Sequence, residues 1–272
     1  DPVFGVTLPS VIEPFSYHVE YDGRKSELHQ VVTFELPVLE RADATVAYPA
    51  YAGIPDKTVE DVRRLSLPEG VRLSYLFHLN KPVASARLVG EKEEDVVELL
   101  TFPDAARAEL PPLLLIETRK WKLELTDEAG RRNKVAPGFE ITVFPNRPPK
   151  VKILPPGGDR QVSPLEEVAF AAEVEDDFGL RRAGFAYNLD GGEVREVELK
   201  TGTAGEGEAK ALKAEVAHAL ALEGMKVIPG QLVSWYFWAE DAGPDGKPRR
   251  TFGDMYFAEV RPFEEIFRKG PD

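Results

Sequence analysis

Carboxylates at strand ends are the residues of this chain whose type and spacing first suggest chemistry. Glu173–Leu180 reads EVEDDFGL, with Asp176 and Asp177 just ahead of a turn glycine, and Leu232–Gly246 reads LVSWYFWAEDAGPDG, with Asp241 and Asp245 in the turn. If the two turns met at one end of a sandwich, Asp176, Asp177, Asp241 and Asp245 could supply part of a calcium shell, which takes about six to eight oxygens from several loops. The plainer alternative is that Asp and Gly form turns and that the carboxylates cap backbone N–H groups. No EF-hand spacing is present, and Arg147 stands where an inter-domain calcium site would want an acid. No cofactor is expected.

His18 and His29 would face each other if a four-residue loop, Asp22 to Lys25, joined their strands, and Glu20 or Glu27 could then complete a zinc site. A shift of register by one residue would separate them. His78 and His218 are isolated in strand-like runs. There is no G-x-S-x-G and no cysteine, and no His lies in a recognisable order near a serine, so the pattern is that of a non-enzyme. Gly202, Gly205 and Gly207 lie in TGTAGEGEAK, which lacks the G-K-[ST] ending of a phosphate loop and carries acids where phosphate would sit.

Aromatic side chains offer the other candidate site. In LVSWYFWAED, Trp235 and Phe237 alternate with Tyr236 and Trp238, so both faces of one strand are aromatic and both must be covered. Cover for Tyr236 and Trp238 comes either from the same chain, for which Gly202 to Met225 is the candidate insert, or from a binding partner.

The elements that must position these residues repeat along the chain. WKLELTDEAG (Trp121–Gly130) and the Trp235 strand share a plan, with six residues from Trp121 to Asp127 and six from Trp235 to Asp241. A shorter version, YHVEYDG, lies at Tyr17–Gly23. Val71, Leu73, Tyr75, Phe77 and Leu79 occupy every second position, as do Val168, Phe170, Ala172 and Val174, the mark of strands with one buried face. Ala209–Leu222 fits helix or strand, and the repeat favours strand. Prolines in PNRPP (Pro145–Pro149) cannot serve a central ladder and mark a stiff linker.

These patterns predict an all-β chain of tandem immunoglobulin/fibronectin-like β-sandwich modules. Residues 1–36 read as the terminal hairpin of a partial module, 37–146 and 147–262 as two complete sandwiches, and 263–272 as the start of a helical tail. Trp121 and Trp235 are the expected core plugs, in the absence of any disulfide.

Composition narrows the partners. Lys and Arg number 34 against 47 Asp and Glu, a formal charge of −13, which opposes long-range attraction to nucleic acid or anionic membrane. No apolar run reaches the ~18 residues of a membrane span. The chain, opening on Asp1-Pro2, reads as the middle of a longer protein.

Several phrases resemble a known family. YPAYAGIP (Tyr48–Pro55), LPEGVRLSYLFHLNKPVASARL (Leu67–Leu88), LTDEAGR (Leu125–Arg131), EDDFGL (Glu175–Leu180), IPGQLVSWYFWAEDA (Ile228–Ala242) and VRPFEEIF (Val260–Phe267) are similar to bacterial domain-of-unknown-function family 4175. The similarity runs from Phe15 to Phe267; Gln231 stands where the family usually has Asp. What it implies is a periplasmic or extracytoplasmic setting in a large protein anchored by a transmembrane segment outside this chain, with protein partners of the cell envelope. No role for any residue comes with it. The expected function is therefore a non-enzymatic spacer or protein-interaction region; the alternative is a carbohydrate or cell-wall binding module stacking sugars on Tyr236 and Trp238.

Overall fold

The computed structural model describes residues 5–92, 94–201 and 211–262. The expected tail helix from Phe263 and the loop glycines Gly202, Gly205 and Gly207 lie outside the described residues. The chain is an all-β array of immunoglobulin/fibronectin-like sandwich modules.

At the start, β1 (Phe15–Tyr17), β2 (Glu20–Tyr21), β3 (Arg24–Lys25) and β4 (His29–Val31) form a hairpin. Its turn is two residues, Asp22 and Gly23, both at positive φ, because Glu20 pairs with Lys25 and Tyr21 with Arg24. Further out the pairing slips by one, with Tyr17 opposite His29, where Val19 N–H and Ser26 Oγ bond at 2.9 Å. The slip puts His18 and His29 on opposite faces and removes the zinc pair that a four-residue loop would have made.

Ten strands follow: β5 (Leu39–Ala47), β6 (Lys57–Val59), β7 (Arg64–Pro68), β8 (Val71–Leu79), β9 (Ser85–Val89), β10 (Val96–Glu98), β11 (Leu100–Thr101), β12 (Arg107–Leu115), β13 (Arg119–Thr126) and β14 (Gly138–Phe144). They make two five-stranded sheets, ordered β10-β9-β13-β14-β7 and β11-β12-β8-β5-β6. Buried Leu99 separates β10, which belongs to one sheet, from β11, which belongs to the other.

The last strands are β15 (Lys150–Ile153), β16 (Arg160–Val162), β17 (Glu167–Glu175), β18 (Arg182–Leu189), β19 (Arg195–Leu199), β20 (Lys213–Ala221), β21 (Leu232–Ala242), β22 (Pro248–Phe252) and β23 (Tyr256–Val260), with one helical turn, α1 (Leu222–Met225). One sheet has the order β15-β17-β20; the other runs β16-β23-β21-β18-β19, with β22 also paired to β21. Within the ambiguous segment, Lys213–Ala221 is a strand, β20, antiparallel to β17 along its whole length.

The chain divides into two compact units, 1–42 with 76–110 and 120–139, and 43–75 with 111–119 and 140–272. In the first, Trp121, Leu123, Leu125, Leu88 and Phe77 are buried, with Phe77 edge-on to Phe139 at 5.4 Å. In the second, Trp235 packs on Phe170 at 4.4 Å within a cluster that includes Phe185, Phe237, Val174 and Val260. Both tryptophans are core plugs, as the alternation requires.

Candidate functional site

The two tryptophan strands carry their aspartates into equivalent places. Asp127 is 4% exposed; Lys81 Nζ donates to its Oδ2 at 2.7 Å, and the N–H groups of Ala129 and Arg131 donate to its Oδ1. The Lys81 hydrogen bond holds the Asp127 carboxyl below the usual carboxylate range. Asp241 is 1% exposed and receives a fork from Arg249, Nε to Oδ1 at 3.2 Å and Nη2 to Oδ2. In each case a carboxylate beyond the tryptophan is buried against cations, Lys81 and Arg131 at Asp127 and Arg249 at Asp241.

Arg249 also reaches the linker. Its Nη1 donates to Asn146 O at 3.1 Å and its Nη2 to Asn146 Oδ1 at 2.7 Å, while Asn146 Nδ2 donates to Ala242 O at 2.9 Å. Asn146 is consequently 4% exposed, within a proline-rich segment that would otherwise be solvated. On the same side Arg147 N–H donates to Asp177 Oδ2 at 3.1 Å, and Phe178 lies 6.1 Å from Phe144, ring planes parallel, and edge-on to Tyr51 at 4.9 Å. Tyr51 gives its hydroxyl hydrogen to Glu69 O; burial, with the charges of Glu69 and Asp177, pushes its pKa up to about 12, so it stays neutral. All these residues belong to the second compact unit. Together they clasp the linker between the middle and C-terminal pairs of sheets.

The four carboxylates proposed for calcium are not a metal shell. Asp241 is paired with Arg249; Asp245 is in its own turn, accepting from Lys247 N–H at 3.0 Å; Asp177 accepts from the linker. Among the described residues, no group of three or more His, Asp or Glu is placed to hold a metal ion. Capping and pairing have won over ligation. Asp176 differs: it is 8% exposed, its Oδ1 accepts from Phe178 N–H at 2.9 Å, and its Oδ2 is buried without a hydrogen-bond partner. Desolvation, then the neighbouring Asp241 and Asp177, raise its pKa above the ordinary value. A cavity of about 500 Å³ adjoins it, lined also by Phe144, Arg147, Pro148, Asp177 and Lys213.

Trp238 is not a free stacking surface. It is 2% exposed, its ring lying across Gly184 on the paired strand, where an added Cβ would meet the indole at 2.3 Å. Arg250 covers the ring with its guanidinium carbon 3.9 Å from the centroid, and Arg182 lies at 5.8 Å. The two arginines are held by acids: Arg182 by Glu240 and Glu198, Arg250 by Glu196 and Glu240. The sugar-stacking role assigned to Trp238 therefore fails on access, because the cover is a cross-strand lattice of side chains. Tyr236 remains half-buried, edge-on to exposed Phe252 at 5.7 Å and 76°. Rings so inclined do not form the flat platform that a pyranose face needs.

His78 Nε2 lies 3.2 Å from Arg41 Nη2, and the His218 ring packs on Phe185 at 4.9 Å, where burial lowers its pKa. Neither geometry is that of a general base beside a nucleophile.

No protein-family model and no curated protein matches the chain. Among solved structures it is similar to fibronectin(III)-like modules of CbhA from Clostridium thermocellum, at 15% identity over 74% of this chain and 90% of that one, with a TM-score of 0.26. It is also similar to Rst D1-D2, at 12% identity over 72% and 94% with a TM-score of 0.29. A third similarity is to extracellular cadherin domains 1–4 of protocadherin gamma B7, at 15% identity over 92% and 65% with a TM-score of 0.31. At such scores these likenesses carry nothing about ligands or partners.

Proposed function

We propose that the chain is a non-enzymatic spacer and protein-interaction region of a larger, membrane-anchored protein of the bacterial envelope, on the extracytoplasmic side. The observation that carries the spacer reading is the clasped linker: Asn146 is buried and held by Arg249 and by the Ala242 carbonyl, so the segment between two pairs of sheets is fixed to a framework. A linker that served only as a tether would leave such groups to water. The envelope setting rests on the sequence resemblance alone. Partner capture would then fall to exposed surface such as Phe252 beside Tyr236.

The test of the spacer is a distance measurement. Spin labels at exposed Lys57 and Glu193 should give a narrow distance distribution in the wild type and a broad one in Arg249→Ala, whose linker has lost its clasp. A distribution already broad in the wild type would show a loose junction, and equally narrow ones a junction that the clasp does not hold; either outcome removes the observation on which the spacer reading rests. Incubating the same protein with envelope extract and with immobilised peptidoglycan separates the interaction arm from the carbohydrate alternative. Protein capture weakened by Tyr236→Ala with Phe252→Ala supports the first; glycan retention supports the second.

A further inference from the structure

The charges of Asp177 and Asp241 act on Asp176 at the clasped linker, and Arg249, paired with Asp241, is attracted by all three carboxylates. The other cations nearby are engaged or exposed: Lys150 pairs with Glu175 at 3.1 Å, Lys213 pairs with Glu173 at 2.7 Å, and the Arg147 side chain is on the surface. Arg249 thus divides its guanidinium between Asp241 and Asn146 while a third acceptor, the bare Oδ2 of Asp176, lies buried without a donor. An ionised carboxylate in that position has two ways to lower its energy, to draw the guanidinium away from Asn146 or to take up a proton.

We propose that the linker clasp is a proton-operated latch: with Asp176 protonated, Arg249 stays on Asn146 and the junction is closed; with Asp176 ionised, the guanidinium is drawn toward it and the hold on Asn146 slackens. The proposal rests on the spacer reading and adds its regulation. The proton goes to Oδ2, since Oδ1 already accepts from the Phe178 N–H group. Groups facing Asp176 from its own segment are Glu175 and Asp177; from β21, Asp241; from β22, Arg249; from β20, Lys213; from the linker and β15, Arg147 and Lys150. Tyr51 adds no charge. The adjoining cavity gives water and buffer a route to the site.

The direction follows from linkage. A carboxyl whose folded-state pKa is raised stabilises the fold below its unfolded value of 3.8, and that contribution is lost as pH rises through the folded value. The clasp should therefore be tighter in mild acid than at neutrality.

Hydrogen exchange at the Arg249 Nη–H groups, which donate to Asn146, and at Asn146 Nδ2–H, followed by NMR and corrected for intrinsic rates, tests this at about pH 4.5 and about pH 7.5. Protection several-fold higher at the lower value in the wild type, and independent of pH in Asp176→Asn, is the expected result, with Asp177→Asn retaining the wild-type response. If Asp176→Asn fails to fold, the wild type decides: the change in protection must share its midpoint with the Asp176 carboxyl carbon titration. Equal protection at both values overturns the latch and leaves the spacer standing. Absence of protection at both overturns the two together.

Discussion

Trp238 illustrates how one side chain can be misjudged by alternation alone. A residue on the outer face of a strand is exposed only if its cross-strand neighbours leave it so, and here Gly184 provides a bed while Arg250 and Arg182 provide a lid. Sequence shows that both faces of β21 are aromatic; it does not show that residues 12 and 54 positions away, Arg250 and Gly184, close over one of them. The glycine is open to test. Gly184→Ala would place a methyl 2.3 Å from the indole in a packed sheet, so the ring must lift and the arginine lattice shift with it. Overpacking of this kind costs roughly 1–3 kcal/mol. Urea unfolding should show the loss. A variant with the wild-type midpoint would mean that Trp238 is not packed on Gly184.

Strands and hairpins were the most legible parts, because period-two alternation and turn chemistry are local. Val71–Leu79 and Glu167–Glu175 fall where their buried faces are written, and the Trp-to-Asp spacing marks two strands that each end in a buried, cation-held carboxylate. Register was less legible: one inserted residue near Val19 reverses the faces of His18 and His29. The partners of the two aspartates were also out of reach, Lys81 lying 46 residues from Asp127 and Arg249 following a turn whose pairing is set by the sheet. For Asp127 the linkage runs opposite to that of Asp176. Its folded-state pKa is depressed, so the stabilisation is present above the unfolded value of 3.8 and is lost as pH falls through the folded one. The wild type should unfold at higher urea than Asp127→Asn at neutral pH, with the gap closing in acid below 3.8. A gap that persists unchanged there would show that the carboxylate charge is not what stabilises the turn.

Sandwich strands could be read from the repeat, but the junction could not, because its residues come from five places: Tyr51, Glu69, Phe144 to Arg147, Asp176 to Phe178, and Asp241 to Arg249. Proline density correctly marks Pro145–Pro149 as lying outside any ladder, yet it is silent on whether the segment is clasped. Sheet pairing alone would place a cut after Asn146, separating β14 from β15. The side chains argue against independence there. A fragment of 147–262 keeps Asp241 and Arg249 but removes Asn146, leaving the guanidinium with fewer acceptors and the Ala242 carbonyl without its donor. Unmet buried hydrogen-bonding groups cost about 1–3 kcal/mol. Its β21 amides, among the most deeply buried of the C-terminal sheets, should therefore exchange faster than the same amides in the full chain at the same pH. Identical exchange in fragment and full chain would mean that the junction contributes nothing to the C-terminal sheets. The Arg249 contacts would then be ornament on two independent sandwiches, and neither a spacer set by the linker nor a latch acting on it could be maintained.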